Sequence, residues 1–284
     1  MHLLFDPFIN FGYMRRAIVA CGALSMSITP VGIFLMLKRM SLIGDALSHS
    51  ILPGVAIGYF CSGVSCIIMS IGGFISGLMV AVVSVWISEK IELQKDLIFS
   101  GFCLGSLSFG IVLMSFNKSN VDLLNLLFGS ILSVTIDYLQ FIGLVTTITL
   151  IYLALFYRAL IIEAFDTDFL KVHCAISLKY IQIFFLFIVV LNLIASLQIT
   201  GALMSVGLMM IPSVSARCWS SNIMNMLLLS VCFAFLCSWV GLLCSFYMVL
   251  PAGPTIVFCS SIIFLISILF GKNHGILSVI YKKM

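Results

Sequence analysis

Between Ala17 and Leu37 the chain carries no charged side chain, and runs of the same kind recur along its whole length. A helix needs about 20 apolar residues to cross the hydrocarbon of a bilayer. Residues 17–37, 66–88, 97–116, 138–157, 180–197, 225–245 and 252–270 meet that requirement. Two further stretches are less regular. Residues 45–60 are few and include Pro53, Gly54 and Gly58, and residues 201–219 are interrupted by Gly207 and Pro212. Short or Gly- and Pro-interrupted segments are where membrane proteins break helices around a site. Counting both as spans gives nine; if one is re-entrant, the count is eight.

A soluble fold is excluded by what these runs leave over. Only 8% of the residues are charged and 62% are hydrophobic, against about 25% charged in soluble domains. No polar stretch between the runs is long enough for a core of its own, so residues 1–284 read as a single transmembrane domain of all-α class, a polytopic helical bundle in the lipid bilayer. The net charge of +4 is small and dispersed, which points away from nucleic acid and toward a role in topology. Lys38, Arg39, Lys90, Lys95, Arg158, Lys171, Lys179, Arg217, Lys272, Lys282 and Lys283 fall in the odd-numbered turns of a nine-span chain. Arg15, Arg16 and Lys118 fall on the other side. That bias predicts a cytoplasmic C-terminus and an external N-terminus; Arg15 and Arg16 pull the other way, and one span fewer would accommodate them. The first thirteen residues do not read as a removable signal peptide. The ten cysteines form no Cys-x-x-Cys pair and are read as small apolar residues rather than a disulfide framework or a thiolate site. Small residues at helix-contact spacing, Gly54 with Gly58 and Gly73 with Gly77, predict close packing inside the bundle.

Against this background the run from Met40 to Gly54 stands out. Asp45 and His49 are four residues apart and so share one helical face. Ionisable groups at membrane depth are costly and mark functional sites. Imidazole nitrogen and carboxylate oxygen suit Zn²⁺, Mn²⁺ or Fe²⁺. One Asp and one His are too few ligands for a tight site, but a twofold axis would supply two of each. Pro53 and Gly54 are expected to break the helix and free backbone carbonyls near a path. The same pair admits a purely structural reading, with the carboxylate orienting the imidazole.

The chain has no nucleotide-binding loop of its own: its only Gly-Lys, Gly271-Lys272, lacks a glycine-rich lead and a following Ser or Thr. Energy for transport would therefore come from a partner. Residues 158–179 form the longest cytoplasmic connection. In it Phe165, Phe169 and Val172 recur at helical spacing, and Asp166 or Thr167 could cap a short helix. Such a face suits a groove on another protein or the membrane interface.

These residues carry a family resemblance. Residues 40–56, MSLIGDALSHSILPGVA, resemble the "MSLMGDALSHAVLPGVA" signature of the permease subunits of bacterial zinc/manganese/iron ABC importers. Lys95-Asp96 with Ile98–Gly101 is similar to "KEDAxxGIxFSG", residues 123–132 to "DLLxxLFGxIL", and MSVGLMMIPSVSAR at 204–217 to "LVxALLIIPAAxAR". The resemblance spans essentially the whole chain. It implies a homodimeric channel in the bacterial cytoplasmic (inner) membrane, with a cytoplasmic ABC ATPase subunit on each protomer and a periplasmic or lipid-anchored metal-binding protein delivering the ion. The chain itself would then be no enzyme. No cofactor would be held permanently, and the cargo would be Zn²⁺ first, with Mn²⁺ or Fe²⁺ as alternatives. Asp45 and His49 would line the path. Glu163, Ala164, Phe165, Asp166, Phe169, Leu170 and Cys174 would belong to the ATPase-coupling segment. The family has a small residue followed four later by Gly where this chain has Leu170 and Cys174. A siderophore- or cobalamin-type ABC permease and a partner-free secondary metal transporter are the rival readings.

Overall fold

The computed structural model describes residues 2–62, 66–90, 95–116, 131, 134–165 and 178–273. Ten helices hold nearly all of them: α1 (His2–Asn10), α2 (Gly12–Leu37), α3 (Ser41–Ser50), α4 (Leu52–Ser62), α5 (Cys66–Lys90), α6 (Lys95–Phe116), α7 (Ile136–Phe165), α8 (Leu178–Trp219), α9 (Ile223–Met248) and α10 (Ala252–Phe270). Helices are what an apolar chain can form without water, because each backbone donor finds its acceptor in its own segment. The hydroxyls follow suit by bonding back one turn, as Ser25 donates to the Cys21 carbonyl at 2.7 Å and Thr29 to the Ser25 carbonyl at 2.6 Å.

Among the described residues six helices are long and apolar enough to cross a membrane, and two shorter apolar stretches, Leu97–Leu113 and Ile181–Leu197, accompany them. The bundle is built around α2. Of its apolar window 72% is buried, against 22% for α10. Ala17, Ala20, Cys21, Leu24, Ile28, Val31, Phe34 and Leu35 are fully enclosed, while α10 turns Phe258, Leu265 and Leu269 outward. An outward apolar face is the expected surface of a helix whose solvent is lipid.

Contacts along the helices fix their relative directions. Thr146 of α7 bonds to Ala23 of α2, and Glu163 of α7 to Lys38 just beyond α2, so these two run in parallel. Asn192 of α8 bonds to Thr149, and Phe184 stacks near Phe156, so the first arm of α8 runs against α7. Phe11 and Phe246 meet at 5.4 Å, and the α-carbon of Gly22 faces Phe235, so α9 runs against α2. Gly241 lies against Ile256 and Cys237 meets Ser260, so α10 runs against α9. Trp219 donates to Ser267 at 3.0 Å and Gly207 lies against Val257, so the second arm of α8 runs with α10. The two arms of α8 therefore run in opposite directions.

That reversal falls between the runs 180–197 and 201–219, read as separate spans, but one expectation inside the second run is corrected. The breaks read at Gly207 and Pro212 are not breaks; both sit inside the second arm. Gly207 is there because a β-carbon would come within 2.9 Å of Val257. The chain turns at Gly201, with φ 78° and ψ 167°, a backbone conformation that a residue with a side chain reaches only with strain. A straight helix of 42 residues would measure about 63 Å, twice the hydrocarbon thickness.

A second correction concerns α7. Residues 158–165, read as the start of a cytoplasmic connection, continue the helix to Phe165. They hold no glycine or proline, and Leu160 and Glu163 are buried on its inner side, so nothing ends the helix at Tyr157. The small-residue expectation is met: a β-carbon on Gly58 would stand 2.8 Å from the Ile68 carbonyl, and one on Gly73 or Gly77 would press on Ile51.

Candidate functional site

Helix α3 is buried on three sides and open on one. Ile43, Gly44, Ala46, Leu47, Ser48 and Ser50 face the bundle, and the remaining stripe is Ser41, Leu42, Asp45 and His49. The back of α3 lies so close to the second arm of α8 that a β-carbon on Gly44 would collide with the Met209 methyl. Met204 and Met209 are fully buried, in keeping with a packing role. The helix is thus pinned, and its orientation is set by what it packs against.

Asp45 and His49 meet on the open stripe. The Nε2 atom of His49 lies 3.7 Å from Oδ1 of Asp45, with the two side chains 27% and 61% exposed. That separation is too long for a hydrogen bond. Two ligands about 2.1 Å from one ion at tetrahedral angles would be about 3.4 Å apart, so the pair is spaced much as two neighbouring ligands would be. The other ring nitrogen, Nδ1, is buried without a hydrogen-bond partner, so nothing among the described residues fixes the imidazole in one role. Among the described residues no group of three or more His, Cys, Asp or Glu is placed to hold a metal.

The break after α3 is real and its carbonyl is occupied. α3 ends at Ser50 and α4 begins at Leu52, with Pro53 and Gly54 in its first turn. The Ser50 carbonyl, freed by the break, accepts hydrogen bonds from Ser76 Oγ of α5 at 2.7 Å and Ser106 Oγ of α6 at 3.3 Å. The expectation of a free carbonyl near the path is corrected at this position: two hydroxyls satisfy it, as a buried carbonyl requires. Gly54 faces Gly72, and a β-carbon on either would strike the other's carbonyl oxygen; one on Gly110 would stand 3.2 Å from the Pro53 nitrogen. Pro53 and Gly54 therefore seat the α3–α4 junction against α5 and α6. Ser76, Ser106, Gly72 and Gly110 were not singled out in the sequence, although the Gly72-Gly73 doublet beside Ser76 was a visible signal.

A second open region lies on α6. Gly101 and Gly105 have nothing within 4 Å of a built β-carbon. With Val80, Ile87, Leu97, Ile98, Phe102 and Ser106 they line an apolar groove of about 640 Å³ between α5 and α6.

The coupling residues divide. Glu163 is buried and accepts a 2.8 Å ion-paired hydrogen bond from Lys38, so its carboxylate is turned into the bundle. Ala164 is half-buried and Phe165 is exposed at the end of α7. Asp166, Phe169, Leu170 and Cys174 lie outside the described residues, as do residues 123–130 of the third resemblance block. Asn192 does what helix-to-helix bonding predicts, donating to Thr149 at 2.7 Å. The described cysteines 21, 103, 218, 232, 237, 244 and 259 are free thiols.

Comparison with known proteins agrees with this architecture. The profile of the ABC 3 transport family matches residues 10–271. The manganese transport system membrane protein MntC of Listeria monocytogenes is 28% identical over 97% of this chain and 96% of that protein. A probable iron transport system membrane protein of Haemophilus influenzae is 27% identical over 98% of this chain and 96% of its own length. Among solved structures, PsaBC from Streptococcus pneumoniae in complex with Fab superposes with a TM-score of 0.86 at 26% identity, covering 97% of this chain and 98% of that one.

Proposed function

This chain belongs to the ABC 3 transport family and is a metal ABC transporter permease, a multi-pass membrane transport subunit, and from that premise we propose that two copies form a path for a divalent first-row cation between their α3 stripes. The observation that carries the reading is the exposure of Asp45 and His49 on an otherwise apolar bundle. A charged side chain turned toward hydrocarbon is costly, so that face needs water or a second protomer against it. The open glycines of α6, Gly101 and Gly105, support a second copy, since small residues let helix backbones approach. Two protomers would bring two Asp and two His to one axis, enough for four-coordination, while each alone offers two ligands.

For the cargo, the Asp–His pair suits zinc, manganese and iron alike. The relatives named for manganese and iron support those two ions at least as well as the zinc that the resemblance puts first. Alternating helix directions support nine passes, with residues 158–179 and Lys38 on the cytoplasmic side of a bacterial inner membrane. A separate ATPase would drive the cycle at residues 166–177, and an external metal-binding protein would supply the ion.

The test is metal uptake by cells carrying Asp45→Ala or His49→Ala. Both variants should assemble in the membrane at the normal level and take up no manganese, iron or zinc above background. Full uptake by both would remove the site. The metal whose cellular content falls in a deletion strain identifies the cargo.

A further inference from the structure

The outer face of the bundle carries another apolar recess, apart from the α5–α6 groove. It lies between α2, α7 and α9, has a volume of about 580 Å³, and is walled by Met26, Phe34, Leu150, Met224 and Leu228, with Ala154 between them. Met26 and Leu228 are 53% and 62% exposed, so the recess opens to the surroundings of the bundle. Along helices this apolar those surroundings are hydrocarbon. The α5–α6 groove offers glycines to an approaching backbone. This recess is walled instead by long side chains, which hold a second helix away and leave a slot for a flexible chain. From Met26 to Phe34 is about 12 Å of helix, close to the roughly 15 Å hydrocarbon depth of one leaflet.

One end of the slot is basic. Leu150, Ala154 and Arg158 follow at i, i+4 spacing and so share one face of α7. The first two line the recess, and Arg158 stands exposed one turn beyond them. α9 begins at Ile223, beside Met224 of the wall, so the partial positive charge of its N-terminus lies at the same end. Arg39 after α2 and Arg217 in the last turn of α8 are exposed at that end of the bundle too. Glu163, the acidic residue of α7 closest in sequence to Arg158, does not offset them. It is 2% exposed and held by Lys38, whose ammonium also sits over the Phe185 ring at 4.0 Å.

We propose that this recess binds an anionic phospholipid, with an acyl chain lying between α2, α7 and α9 and the phosphate on Arg158 at the mouth. An apolar slot one leaflet deep with a cationic rim matches that molecule at both ends: hydrocarbon meets Met26, Leu150 and Leu228, and the headgroup meets the one part of the wall that carries charge. The site is separate from the Asp45–His49 stripe and does not depend on which cation crosses.

The test uses the full-length permease purified in detergent, stripped of lipid, and offered phosphatidylglycerol or phosphatidylcholine with the same acyl chains, with native mass spectrometry counting the lipid retained. Wild type should retain phosphatidylglycerol about fivefold better, the ratio that one basic side chain near an anionic headgroup supplies. Arg158→Gln should bring the two lipids within about twofold of each other. Ala154→Trp, which fills the slot from an exposed position, should reduce retention of both; Leu228→Trp does the same from the α9 wall should the first variant not assemble. Phosphatidylglycerol carrying a diazirine midway along one acyl chain should label residues 26–34, 150–157 and 224–232 on illumination. Equal retention of the two lipids by wild type, unchanged retention in the assembled tryptophan variants, or labelling spread evenly over the outer helices overturns the proposal. Cross-linking of two copies through the exposed Cys232 also overturns it, by seating a second chain in the recess. None of these readouts requires transport, so a failure of the permease reading would not be mistaken for a failure of this one.

Discussion

Two ionic contacts among the described residues are near opposites. Lys38 and Glu163 are far apart in sequence, closed at 2.8 Å and almost fully enclosed. Asp45 and His49 are one helical turn apart, open at 3.7 Å and exposed. The first pair has its hydrogen bond and its aromatic seat and asks nothing from outside. The second has two groups pointed at the same space and, among the described residues, an imidazole nitrogen with no partner and no third ligand. On the proposed reading, the contrast separates structure from function: the enclosed pair holds the fold, and the open pair is left to meet a cargo.

The strongest break of this comparison is Asp45→Ala. Metal uptake should fall by at least about 100-fold, the range in which loss of a metal-supporting group is felt. Thermal stability in detergent should stay within about 0.5 kcal/mol, as for other exposed pairs. The opposite pattern, a lowered melting temperature with normal uptake, would exchange the roles of the two pairs. Next in size is Glu163→Gln, which leaves the Lys38 ammonium buried with its carboxylate gone and should cost about 3–5 kcal/mol. Adding Lys38→Met should restore most of that loss in the same unfolding assay. Gly72→Val sharpens the comparison from the side of packing. Its new side chain would meet the Gly54 carbonyl across the α4–α5 crossing, and overpacking of this kind costs about 1–3 kcal/mol. Because Ser76 and Ser106 hold the Ser50 carbonyl at the same junction, uptake should fall with stability rather than independently of it. The smallest effect is expected for Asn192→Val, where one interhelical bond to Thr149 is lost at about 0.6 kcal/mol, with uptake unchanged.

Much of this was legible in the residues before any coordinates. Charge-free runs bounded by Lys and Arg gave the helices, because hydropathy is a local property and in lipid a local property is sufficient. Asp45 and His49 were legible for the same reason: their spacing is a helical repeat, so their meeting needed only α3 to form. The closed pair was not legible, since no local rule brings Lys38 to Glu163; Glu163 read instead as a surface contact because Phe165 and Phe169 beside it drew attention to an outer face. The reversal at Gly201 was legible as the gap between the runs 180–197 and 201–219, but the breaks read within the second run were not real. Gly207 and Pro212 are the louder breakers nearby, yet a glycine and a proline inside a packed helix are tolerated when neighbours fill around them, as Val257 does at Gly207. Gly72 was passed over for Gly73 and Gly77, although its contact with Gly54 is the tighter one.

The reversal at Gly201 also bears on how the protein is made. Two apolar arms joined by a turn this abrupt offer the insertion machinery no long polar loop to hand across, so residues 178–219 are expected to enter the bilayer as one hairpin. A side chain at Gly201 would then act during biogenesis. Its signature would be a chain lost to quality control before it reaches its partners, and not an assembled transporter that works slowly.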